Sequence, residues 1–242
     1  MRTFVDGLAL VDHHCHSVTM RPLERPAFEA LFCEGHRAIP GLSQFDKPLG
    51  LMIQRWCAPE LDLQPYAEPD QYVAGRLALG TEEVTRRLVG GTGVSLLVVD
   101  TGHRADDILD CDGLAAASGI GTREVVRIEA VMEEVARAGP ADGAALRKGF
   151  DERLALRAAG AAGLEAAVAD RTTFDIDQTA PSAAEVDAAG DRWLAALAAG
   201  TSRRLEDATL IRHALWQAGA ICRERRFPLQ LHVGFGDRDI LM

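Results

Sequence analysis

The 242-residue chain is poor in aromatic residues, which make up 5% of it, and no apolar run approaches the length of a membrane span. Cations are in deficit too: 26 Lys and Arg stand against 36 Asp and Glu, for a formal net charge of −10 at pH 7. That balance excludes nucleic-acid binding by counterion displacement, which needs clustered Lys and Arg, and it argues against an anionic membrane surface. The five cysteines, at 15, 33, 57, 111 and 222, include no C-x-x-C pair. An odd and scattered set suits reduced thiols in a cytoplasm better than a disulfide framework. The N-terminal "MRTFVDGLALVDHH" has one Arg and an apolar stretch interrupted by Asp6 and Asp12, which makes a poor signal peptide.

What remains is an ordinary globular composition, 48% hydrophobic and 26% charged, long enough for one large domain over 1–242. Short β-rich runs at 8–16, 94–102, 123–131, 163–172 and 227–236 alternate with helical patterns at 69–90, 105–118, 132–138, 141–160, 182–199 and 203–226. Strands joined by long helical connections imply parallel βα units, so the expected class is α/β. Periodicity does not decide between an open sheet and a closed barrel. Residues 36–69 break the rhythm with five of the ten prolines. Such an insertion after a first strand reads either as a lid or binding loop or as a packed surface excursion.

The chemistry concentrates near strand ends. "LVDHHCHSV" (10–18) holds three of the seven histidines. Residues two apart in a strand share a face, so His14 and His16 project together, with Cβ atoms roughly 6.5–7 Å apart. Two such imidazoles can converge on one ion, whereas His13 and Cys15 point the other way. Structural histidines bonded to backbone are the alternative. His232 ends another apolar strand, followed by Gly234 and Gly236, and would present a third imidazole from the same sheet edge. Three neutral imidazoles suit Zn, Fe, Ni or Co rather than Mg or Ca. Phosphate-loop, nucleophile-elbow and calcium-loop patterns are incomplete wherever they begin. His36, His103 and His213 fall in no motif and read as surface or helix-end residues.

"VDHHCH" resembles the Val-Asp-x-His-x-His start of the amidohydrolase superfamily, the metal-dependent (β/α)8 TIM barrels. "LQLHVGFGDRD" and "GLEAAVADRTTFDID" followed by "PSAAEV" are similar to the strand-five and strand-four segments of its amidohydrolase-related branch, which also occurs fused to glutamine-synthetase-like domains. The resemblance implies His14, His16 and His232 as metal ligands, with Zn first and Fe, Ni or Co as alternatives. Glu165 stands where many members carry a lysine and would bind metal directly, and Asp170 is the second candidate there. Asp12, Asp100, Arg127, Glu129 and Arg238 become candidates for orienting the ligands or contacting substrate. Arg127 and Glu129 would alternate onto one strand face, a plain ion pair being the other reading.

The resemblance further implies a histidine from strand six and a proton-shuttling aspartate from strand eight, neither of which the chain contains. It is therefore expected to be an incomplete barrel of about five βα units. The implied activity is hydrolysis of an amide-type C–N bond in a small substrate, through metal-activated water. Arg127 and Arg238 would suit a carboxylated one. A metal-dependent decarboxylase or lyase of the same branch is the runner-up, and an inactive partial domain the third reading. A homo-oligomer could arise from an open sheet edge.

Overall fold

The computed structural model describes residue 4 and residues 7–33 and 41–233. His36, Pro40, Gly234, Gly236 and Arg238 lie outside the described residues. Five strands form one sheet in the order β1-β2-β3-β4-β5. The α/β class holds, but the (β/α)8 barrel implied by the resemblance is overturned. A closed barrel has no terminal strands, whereas this order ends at β1 and β5. Among the described residues the apolar runs supply strands only five times, and the long stretches between them fold as helices.

The chain divides into two compact units, Met1–Leu97 with Ala105–Thr122, and Val98–Arg104 with Arg123–Met242. The first contains β1 (Leu10–His16), α1 (Arg25–Leu31), α2 (Pro48–Met52), α3 (Ala58–Glu60), α4 (Pro69–Leu79), α5 (Thr81–Leu88), the first half of β2 (Val94–Asp100), and α6 (Cys111–Ser118). Pro48, Pro59 and Pro69 each sit in the first turn of a helix, where a missing N–H costs nothing. The proline-rich segment is thus built of helical turns over its described part. It packs around a buried cluster of Phe28, Phe45, Leu61, Tyr72, Val73 and Val84. The helical pattern at 69–90 is interrupted at Gly80, whose φ of +81° is left-handed and separates α4 from α5.

The second unit runs through the end of β2, β3 (Gly121–Arg127, shared at its start with the first unit), α7 (Ile128–Arg137), α8 (Gly143–Ala158), β4 (Gly163–Ala166), α9 (Val168–Arg171), α10 (Ala183–Ala198), α11 (Ala208–Arg225) and β5 (Leu229–Leu231). β3, β4 and β5 pair in parallel, with Arg127 opposite Glu165 and Glu165 opposite Gln230. The strands are shorter than their sequence patterns, and β3 and β4 each give way to a helix. β3 stops at Arg127 because Ile128, Val131, Met132 and Ala136 recur at helical spacing and bury one face of α7. β4 stops at Ala166, and Val168–Arg171 forms a helical turn. Behind the strands, Phe150, Leu154, Leu164 and Ile211 belong to one buried cluster. Asp142, Ser182 and Asp207 cap the three long helices through their side-chain oxygens.

Candidate metal centre

Register brings the polar residues of the second unit together. In a parallel ladder, residues opposite one another share a face, so Arg127 at the end of β3 and Glu165 in β4 lie side by side. His232 follows Gln230, the partner of Glu165, by two residues and returns to the same face. Its backbone N–H donates to Ala166 O at 2.8 Å, which extends the β4–β5 ladder to the histidine. The result is a row in which His232 Nδ1 stands 3.4 Å from Glu165 Oε1, and Arg127 Nη2 stands 3.7 Å from that same oxygen.

Arg127 Nη2 also donates to Asp100 Oδ2, at the end of β2. Asp100 and Glu165 are fully buried and Arg127 is 7% exposed. Burial works against the Arg127 charge, but Asp100, then Glu165, outweigh it and raise its pKa. Gly102 is a participant the sequence reading passed over, though it closes the Asp-Thr-Gly turn after β2. Its N–H donates to Asp100 Oδ1 at 2.8 Å. A Cβ there would stand 2.7 Å from Arg127 Cβ and 3.2 Å from Asp100 Oδ1, so only glycine lets the turn close over this pair.

Glu129 does not join the row. It lies in the first turn of α7, not on a strand, and its Oε1 accepts from the Ala167 amide at 2.9 Å. Asp170, on α9, has its carboxylate 3.0 Å from Arg204 Nη1. Arg238 is outside the described residues. His213 also departs from expectation: it is buried in α11, with Nε2 2.8 Å from Asp151 Oδ1 on α8.

In the first unit, β1 presents Asp12, His14 and His16 half-buried and His13 exposed, and Cys15 departs from this alternation by being half-buried too. The His14 and His16 rings approach edge to face, with centroids 5.3 Å apart. The Asp12 carboxylate accepts from the His14 backbone N–H at 3.2 Å, which fixes the start of this polar strand end.

Chemically, Glu165 and His232 offer a carboxylate oxygen and an imidazole nitrogen that could serve as ligand atoms. Arg127, itself bonded to Asp100, braces the carboxylate, and β4 and β5 fix the backbone of both donors.

No protein-family model matches the chain, and no curated protein matches it. One solved structure does: a protein of Lactobacillus casei ATCC 334 described as a "putative metal-dependent hydrolase", 24% identical, with a TM-score of 0.72. The match covers 98% of this chain and 61% of that one, so the chain spans about three-fifths of its neighbour's length. At this identity the likeness shows a shared fold.

Proposed function

We propose that the chain is a metal-dependent hydrolase whose divalent cation is held by Glu165 and His232. The observation that supports this best is the meeting of a wholly buried carboxylate with an imidazole nitrogen, Glu165 Oε1 and His232 Nδ1, at 3.4 Å. A buried ionised carboxylate is costly unless it is paired or coordinates a metal. The mixed imidazole and carboxylate donor set fits zinc, which we assign first, with Fe, Ni or Co as alternatives. The description of the Lactobacillus casei protein points to the same class.

The finer reading is hydrolysis of an amide-type C–N bond in a small substrate, and it is supported by the resemblance of the histidine segments. When bound, such an ion lowers the pKa of a coordinated water and polarises a carbonyl. The chain's own part is positional. Glu165 is held on the β4 rung beside Arg127, and His232 is tied to β4 through the Ala166 carbonyl.

Elemental analysis of the purified chain beside its Glu165→Gln and His232→Ala variants tests the reading. Near-stoichiometric zinc or another first-row metal is expected in the parent, with at least about tenfold weaker retention in each variant, a loss of about 1.4 kcal/mol. A folded parent chain that takes up no metal from a zinc-containing buffer overturns it. Amine release from a panel of small amides, abolished by a chelator, then separates C–N hydrolysis from other hydrolytic chemistry.

A further inference from the structure

Arg127 occupies an unusual position. Its guanidinium is nearly buried between two carboxylates that are wholly buried, Asp100 and Glu165. The oxygen it faces on Glu165, at 3.7 Å, is the one that His232 Nδ1 approaches at 3.4 Å. The Arg127 Nε has no hydrogen-bond partner among the described residues, so the side chain is held here more by charge than by a full set of hydrogen bonds. Gly102 supplies the space, since any side chain there would strike Arg127.

We infer that Arg127 is a resident counter-ion of this site, neutralising Glu165 and Asp100 when no metal is bound and opposing a divalent cation that binds at Glu165. The inference rests on the metal reading of Glu165 and His232 given above. Two cations answering one carboxylate oxygen repel each other, and Coulomb's law keeps that repulsion appreciable even at the effective dielectric of a protein surface. Removing the guanidinium leaves two buried carboxylates without it, a strongly destabilising change. The metal and Arg127 are therefore coupled negatively: each is worth more when the other is absent. Many small zinc modules fold only with metal, because no preformed site exists without it. A site with an internal cation can fold empty and load its ion afterwards.

The test compares the parent chain with Arg127→Met, which keeps much of the side-chain volume, and Arg127→Lys, which keeps the charge. Thermal unfolding is followed in metal-stripped buffer and with zinc, and zinc affinity is measured by competition with a chromophoric chelator. Without metal, Arg127→Met is expected to melt several degrees below the parent, while its zinc affinity tightens by about tenfold or more. Arg127→Lys should stay near the parent in affinity. Equal or weaker zinc binding by Arg127→Met overturns the inference and leaves the metal reading standing, because Arg127 would then be a brace alone. Zinc binding to none of the three proteins overturns both. If Arg127→Met does not fold without metal, the Asp100→Asn/Arg127→Met double variant, which removes the charge of one of the two buried carboxylates, takes its place with the same two outcomes.

Discussion

Glu129 and Glu165 are both wholly buried carboxylates of one unit, yet their surroundings set them apart. Glu165 faces a guanidinium and an imidazole. Glu129 has one oxygen on the Ala167 amide and the other without a hydrogen-bond partner among the described residues. Burial pushes its pKa up to about 7, against the pull of nearby amides and of Arg171 and Arg127. A carboxyl raised in this way binds its proton more tightly folded than unfolded. Its contribution is fully present below the ordinary glutamate pKa and is lost as pH rises through about 7. Glu129→Gln, which copies the protonated form, should match the parent near the ordinary glutamate pKa and exceed it in alkaline buffer by roughly 3 kcal/mol. Urea unfolding across that range reads it, and parallel curves for the two proteins would sink the assignment. At this scale the sequence was informative about Arg127, Glu165 and His232, each marked by its place at a strand end. It misplaced Glu129, because an alternation rule was applied beyond the point where the strand stops.

Elements explain why that happened. "VVRIEAVM" satisfies a strand pattern and a helix pattern at once, and a short apolar run cannot choose between them. The choice is made by packing: Ile128, Val131 and Met132 bury one helical face of α7 in the unit's core. A second decision of this kind lies between α8 and α10. Gly143 and Gly190 let them approach so closely that a Cβ on Gly143 would stand 1.9 Å from Asp187 O, and one on Gly190 would stand 2.7 Å from Gly143 Cα. Gly143→Ala must therefore push α10 away despite alanine's better helix propensity. It should cost about 1–3 kcal/mol or more by chemical denaturation. Gly219→Ala in α11, where a Cβ meets nothing within 4 Å, is the control expected to be neutral or stabilising. A Gly143→Ala variant as stable as Gly219→Ala would mean that the crossing can relax.

For the whole molecule, charge and its distribution carry the argument. The net charge of −10 leaves few cations to pool, and the second unit places its arginines against carboxylates: Arg147 on Asp187, Arg153 on Glu134, Arg171 on Glu133. No helix among the described residues is long and apolar enough to cross a membrane. Duplex DNA at about physiological ionic strength should therefore give no anisotropy change with the purified chain. Salt-dependent binding would contradict this. The sheet order is the other whole-molecule result. The resemblance carried an eight-stranded closed architecture with it, and the observed order of five strands with two terminal ones replaces that expectation.

The sequence by itself determined the α/β class, five strand sites and the polar residues at strand ends. These follow from local rules: periodicity and the alternation of side chains along a strand. Only the tertiary structure decided where β3 and β4 stop, that Gly102 closes over Asp100 and Arg127, and that Arg127, Glu165 and His232 share one face. Those outcomes depend on register and on contacts between residues far apart in the chain. A shift of one residue in register would have turned Glu165 to the opposite face.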